Sequence, residues 1–217
     1  MSAIVVFGAG GRAGRRVVAE AAGRGHEVTA VVRDPGRHEG PAGGRVRVVA
    51  GDVTDAASVA RVAAGHDVAV QTATRLDVPA REFHEAAARA LVDGLGEAGV
   101  RRLVAVGIGT LLEVAPGVRV VDTPDFPADG RAFSLGHAAE LAVYGESELD
   151  WVVLAPPPVF LDEQAERTGR YRIGDERLPE AAGGEAAFSF ADLAVAIVDE
   201  AEAGRGGLHR GHVSVSY

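Results

Sequence analysis

Short apolar runs alternate along this chain with longer stretches in which apolar positions recur every three or four residues. The first run, residues 3–7, reads Ala-Ile-Val-Val-Phe, has no polar position on either face, and stops at Gly8. Such a run predicts a strand covered on both sides. Residues 12–23 then show helical spacing, closed by Gly23 and Gly25. The rhythm continues with strands over 27–32, 46–50, 67–71, 103–106 and 151–154. Helices fall over 55–64, 78–98, 133–148 and 190–203, the first of these with Thr54 or Asp55 as N-cap. Residues 112–131 hold three prolines and no clean period, which predicts a loop. The triplet Pro156-Pro157-Pro158 forbids regular structure. Beyond it the rhythm loosens. Residues 161–187 read as irregular, with one short strand at 171–173, and residues 212–215 alternate as a final strand.

Strands that alternate with helices pair in parallel through right-handed crossovers. The expected fold is therefore α/β, a doubly wound parallel sheet of Rossmann type. It forms one domain over residues 1–217, with a small substrate-side lobe over 155–190. No repeat, low-complexity tract or linker divides the chain.

Composition narrows the chemistry. The 217 residues carry 22 basic and 31 acidic side chains, a net charge of −9. That balance argues against a nucleic-acid partner, which needs clustered cations. Cysteine, lysine and asparagine are absent, and every basic residue is arginine. Thiolate chemistry, disulfides and lysine-based relays are thus excluded. No basic flank precedes the apolar run at 4–7, and the longest uncharged apolar stretch, 151–161, is too short to span a bilayer. A cytoplasmic protein without a membrane partner is expected.

The sharpest motif is Gly8-Ala9-Gly10-Gly11-Arg12-Ala13-Gly14, between the first strand and the first helix. Gly8 permits the tight turn, Gly11 or Gly10 lets a pyrophosphate approach the backbone, and Gly14 lets helix and strand pack closely. The helix N-terminus offers N–H groups and partial positive charge to the diphosphate. A glycine-rich turn without a ligand is the bland reading; four glycines in seven residues would then be an entropic liability.

At the end of the second strand an NAD-type site places a carboxylate for the ribose 2′-OH. Here Val31-Val32 is followed by Arg33, whose guanidinium suits a 2′-phosphate. The expected cofactor is NADP(H), with Arg12 as a second clamp. Asp34 opposes that assignment if it points inward, and Arg15, Arg16 and Arg37 read as solvated charges. Asp52 and Val53 follow the third strand, where the adenine lies in this fold; Asp52 as cap of the next helix is an equal alternative. Thr72 and Ala73 follow the fourth strand and are expected beneath the ribose.

Together these pieces resemble the atypical short-chain dehydrogenase/reductase group, in particular NAD(P)H-binding proteins of the NmrA-like and flavin reductase-like kind. The residues that carry the likeness are Gly8-x-x-Gly11-x-x-Gly14, Val31-Val32-Arg33-Asp34-Pro35, Gly51-Asp52-Val53 and Leu149–Leu154. Two later stretches add to it, Arg167–Arg172 and Phe188–Ala194. The resemblance implies dinucleotide binding and leaves the reaction open. The wider family's serine or threonine has its counterpart in Thr110, but its Tyr-x-x-x-Lys pair has none here.

His137 is then the favoured proton donor, near the start of the helix expected to face the nicotinamide, with Glu140 one turn later to orient it. The alternative is that His137 only hydrogen-bonds the groove wall. Thr110 either holds a substrate oxygen or closes a turn. Tyr144 is expected to pack. His84-Glu85 lacks a third ligand at a sensible spacing, so no metal is expected. His209 and His212 read as surface or strand residues. The substrate pocket is placed beside the nicotinamide, walled by the 112–131 loop and 156–161, with Phe126, Phe133, Val159 and Phe160 as apolar surface. Arg119 and Arg131 either meet an anionic group or are solvated.

The expected function is reduction by NADPH of a small, partly apolar carbonyl, imine, quinone or flavin. Two alternatives stand beside it: an NADP(H) sensor without turnover, and a non-redox cyclase or dehydratase using His137 as acid/base. The expected partner is a small-molecule substrate, and a homodimer is left open.

Overall fold

The computed structural model describes residues 1–38, 40–157, 161–179 and 188–217. Strand β1 (Ala3–Phe7) leads through the glycine turn into helix α1 (Arg12–Gly23), and β2 (Glu27–Val32) and β3 (Val46–Ala50) follow. Helix α2 (Ala56–Ala63), β4 (Val68–Gln71), α3 (Ala80–Ala98) and β5 (Arg102–Val106) continue the alternation. A hairpin of β6 (Glu113–Ala115) and β7 (Val118–Arg119) precedes α4 (Ala128–Glu146) and β8 (Asp150–Ala155). The chain closes with β9 (Arg172–Ile173), α5 (Phe190–Ala203) and β10 (Gly211–Ser216).

The main sheet has the order β3-β2-β1-β4-β5-β8-β10-β9. Every pair is parallel except the edge pair β10 and β9. This is the expected doubly wound sheet with one antiparallel strand added at its rim. Side chains alternate between two cores, as the pleat requires. Ile4 and Val6 join Val17 and Val18 of α1 and Leu193 and Ile197 of α5 on one face. Val5 and Phe7 join Val59 of α2, Leu91 of α3 and Tyr144 of α4 on the other.

Three expectations change. The stretch 112–131 is not a plain loop: it holds the β6–β7 hairpin, turning at Gly117 with φ +75°, a short 3-10 turn at Val120–Asp122, and the first turn of α4. Helix α4 starts at Ala128, five residues before the expected 133, because Pro127 serves as its N-cap and Asp129 stabilises its first turn. Helix α3 starts at Ala80 rather than 78, since Pro79 disfavours helical backbone in Val78.

The described part of the late lobe is fastened by one buried side chain. Asp192, in the first turn of α5, accepts hydrogen bonds from Thr168 N and Oγ1, Gly169 N, Ser189 Oγ and Tyr217 OH. Burial works to raise its pKa, but these donors outweigh burial and hold the carboxyl below the usual range. The Arg167–Gly169 and Phe188–Asp192 stretches thus meet at a structural knot.

Candidate active site

The glycine turn is built by close approach. Gly8 has φ +77°, and a Cβ there would lie 2.5 Å from Ala73 N. A Cβ on Gly14 would lie 2.2 Å from the Gly8 carbonyl oxygen and 2.7 Å from Thr72 Oγ1. These two glycines are required by the fold itself. Gly10 differs: the nearest atom to a Cβ there is Val32 Cγ1 at 3.6 Å, an ordinary contact. Its lack of a side chain therefore serves the open cleft, which it lines.

The N-terminus of α1 is also built for an anion. Its N-cap is Gly11, with no side-chain cap and no acidic residue in the first turn. By contrast, α2 is capped by Asp55, α5 is capped by Ser189 with Asp192 behind it, and α3 and α4 carry Glu82 and Asp129. The N–H groups of Arg12, Ala13 and Gly14 have no partner within the helix. A diphosphate would satisfy them.

The cleft beside this turn measures about 620 Å³. Gly8, Gly10, Val32, Arg33, Asp52, Val53, Thr72 and Ala73 line it. Arg15 and Arg37, read from sequence as solvated charges, line it too, as does His38. Among the described residues, the side chains of Arg33 and Arg37 make no hydrogen bond or ion pair. Asp34 lines the same cleft, and its carboxylate accepts the N–H of Gly36.

Several residues differ from their expected roles. Arg12 is not poised over the ribose end. It pairs with Glu163 at 3.2 Å and packs over the Phe190 ring, and it is largely solvent-exposed. Helix geometry causes this, since the side chain leaves the first turn toward α5. Asp52 does not cap α2; Asp55 does. Asp52 instead accepts from Thr54 N and Oγ1, and these bonds, with the charges of Arg33 and Arg75 behind them, hold its carboxyl below the usual range. Thr72 donates to the Phe7 and Gly8 carbonyls, and Gln71 occupies both backbone groups of Ala73. Thr72 and Ala73 therefore wall the cleft and brace the turn. Thr110 donates its hydroxyl proton to Ser134, which ties the segment after β5 to α4. Arg119 and Arg131 are spent locally, on Asp122 and on the carbonyls of Val121 and Thr123. Val159 and Phe160 lie outside the described residues.

Behind the cleft stands a buried cluster. His137 lies in the middle of α4, not near its start, because the helix begins earlier than expected. Its Nδ1 is 2.9 Å from Glu140 Oε1, so Glu140 orients it as the i, i+3 spacing predicts. The other carboxylate oxygen, Oε2, is 2.9 Å from His84 Nδ1 on α3. The two imidazole centroids are 3.9 Å apart, with Phe83 and Phe133 edge-on around them. His84 and Glu140 are fully enclosed and His137 is 7% exposed. Burial works to raise the Glu140 pKa, but the two histidines outweigh it and hold the carboxyl below its usual value. His84 Nε2 faces Thr74 Oγ1 at 3.4 Å, and Thr74 and Phe83 also line the cleft.

His84 thus has the partners that local spacing denied it. The three side chains form a metal-type donor set, with their ligand atoms within 4.8 Å of one another. Glu140 is 56 residues from His84, a separation no local pattern displays. One signal was present: His84 falls on the apolar stripe of α3 with Ala87, Ala88, Leu91 and Leu95, all buried. His212 on β10 is buried rather than superficial. Burial, with help from His137, pushes its pKa down to about 4 against the pull of Glu140. Tyr144 packs as expected, and burial followed by the Glu140 charge raises its phenol well above the ordinary value.

A doubly wound sheet with an uncapped, acid-free helix start behind a glycine turn defines a dinucleotide-binding protein. The comparisons with known proteins agree. The chain belongs to the NAD(P)H-binding family, whose model matches residues 8–203. It is 32% identical over 206 residues to the uncharacterized protein YwnB of Bacillus subtilis, covering 92% of both chains. Among solved structures, a "putative exported protein" from Burkholderia pseudomallei is 40% identical with TM-score 0.86, covering all of both chains. A "putative NADH-flavin reductase" from Streptococcus pneumoniae is 26% identical with TM-score 0.84, over 100% of this chain and 99% of that one. The nicotinamide cofactor fits the residues present, which leave the α1 amides and the Gly10 face open for it.

Proposed function

We propose that this protein is an NADPH-preferring reductase of a small, partly apolar carbonyl, imine, quinone or flavin. The observation that carries the reading is the joint presence, in one cleft, of the unpaired Arg33 and Arg37 and the open Gly10 face. The amides of α1 hold the diphosphate, and the two guanidiniums take the 2′-phosphate where an NAD site would have a carboxylate. The bound cofactor supplies a hydride. His137, held through Nδ1 by Glu140, offers Nε2 as the proton-exchanging atom. The name of the pneumococcal relative favours a flavin among the acceptors. The net charge of −9 suits a small-molecule substrate better than nucleic acid, and no described helix is long and apolar enough to cross a membrane. A cytoplasmic setting belongs to the same reading.

A second reading, an NADP(H) sensor without turnover, draws support from the missing lysine and the enclosure of His137. Calorimetric titration with NADPH and NADH, followed by loss of reduced-cofactor absorbance with quinones, flavins and aldehydes, separates the two. Tight NADPH binding with oxidation by any acceptor establishes the reductase. Tight binding without oxidation moves the protein to the sensor class, and absence of binding overturns both.

A further inference from the structure

We infer that His84 is a positioning residue for His137, acting through Glu140, so that three side chains from two helices work as a single hydrogen-bonded chain. The inference rests on the reductase reading above for its catalytic consequence, but the chain itself is a property of the protein alone.

A carboxylate only accepts hydrogen bonds. Each oxygen of Glu140 lies 2.9 Å from a different imidazole Nδ1. Both rings must therefore carry hydrogen on Nδ1, which fixes their tautomers. The consequence is directional. His137 is left with Nε2 as its exchangeable atom, and His84 is left with Nε2 toward the Thr74 hydroxyl at 3.4 Å. That hydroxyl can donate to it.

His84 also does what Glu140 cannot do alone. An i, i+3 pair on one helix leaves the second carboxylate oxygen free to swing the group away. Holding Oε2 from α3 pins the carboxylate and hence the ring plane of His137. The groups facing the chain are Tyr144 on the same helix and His212 on β10; Phe83 and Phe133 add no charge. Neither titratable neighbour brings a charge at neutral pH, the phenol being raised and His212 being held down to about 4.

A bound reduced nicotinamide would supply the two electrons as hydride, and the chain's part is to deliver the accompanying proton. His137 Nε2 would pass that proton to the acceptor's oxygen or nitrogen. His137 ends neutral, its Nδ1–H still donated to Glu140, and regains a proton at Nε2 from solvent.

The test uses protein labelled with 15N in its histidines, together with turnover. Without cofactor, His84 and His137 are both expected to show a protonated Nδ1 bonded to Glu140, with His84 Nε2 unprotonated toward Thr74. In His84→Leu the His137 Nδ1–H signal should broaden and exchange faster. In His84→Gln, whose amide still donates to Glu140, it should be restored. For turnover, His84→Leu should lower kcat about 10- to 100-fold, part of what acid–base catalysis supplies. KM for the cofactor should stay within about twofold, with a displaced kcat pH profile, and His84→Gln should recover most of kcat. If His84→Leu does not fold, the glutamine variant and the wild-type tautomers still decide the matter. Unchanged His137 signals in both variants would overturn the inference. So would stoichiometric divalent metal, removable by chelator, on the three side chains. A wild type that reduces no acceptor sinks the reductase reading alone, because the spectra report on the chain without turnover.

Discussion

The cofactor cleft and the histidine cluster share Thr74 and Phe83 yet are built on opposite principles. In the cleft, polar groups lack partners: the first amides of α1, Arg33 and Arg37. In the cluster, both Glu140 oxygens and both histidine Nδ1 atoms are committed to one another. Groups left without partners at an open surface await a ligand, since pairing them is favourable once something arrives. Groups paired in a dry interior are set in place beforehand, and cost most when one member is removed.

That contrast can be broken most forcefully at Glu140. Glu140→Ala should destabilise the fold by about 3–5 kcal/mol, the usual cost of removing one partner of a buried pair. Denaturant unfolding reads this directly, and a loss under about 1 kcal/mol would mean the cluster contributes no preorganisation. Acid should act on the same region. His212 is pushed down to about 4, from an ordinary value of 6.5. The unfolded chain then binds the extra proton first, so stability falls as pH drops from about 6.5 to about 4, by roughly 3 kcal/mol. Glu140, held low, loses its contribution only below its ordinary 4.5. A stability profile flat between pH 6.5 and 4 would contradict the His212 assignment, and His212→Leu should remove that limb.

Two paired substitutions sharpen the cleft side. Gly14→Ala forces a Cβ against backbone and should cost about 1–3 kcal/mol of stability. Gly10→Ala should fold normally while weakening dinucleotide binding, because its space is the ligand's. Equal effects of the two on melting temperature would show that Gly10 is structural. Arg33→Ala should lose about tenfold or more in NADPH affinity, with NADH little changed, as befits a charge-assisted bond. Arg12→Ala should change stability by no more than about 1 kcal/mol, since its pairing is exposed, and leave NADPH preference intact. A preference lost with Arg12 rather than Arg33 would reverse the two assignments.

The same contrast explains what the sequence disclosed. The sheet, the glycine turn and the arginine after β2 are local patterns, and each falls where periodicity and motif placed it. Misplaced helix starts trace to prolines 79 and 127, which act as caps rather than breakers. The pairing of Arg12 is not legible locally, because its partner, Glu163, is 151 residues away. The cluster was half legible: the Glu140–His137 pair lies within one helical turn, while His84 joins them only through α3–α4 packing. Gln71, which occupies the backbone of Ala73, gave no signal beyond being polar at the end of an apolar strand.

The sheet order also sets a timetable. β9 joins the sheet only through β10, which lies between it and β8 although it comes later in the chain. During synthesis the 172–173 segment therefore has no edge to pair with until residues 211–216 have been made. The Asp192 knot obeys the same sequence of events, since Tyr217 completes it. The 167–173 stretch should thus close only after β10 is made, and a nascent chain stalled before β10 should present its unfilled sheet edge to chaperones.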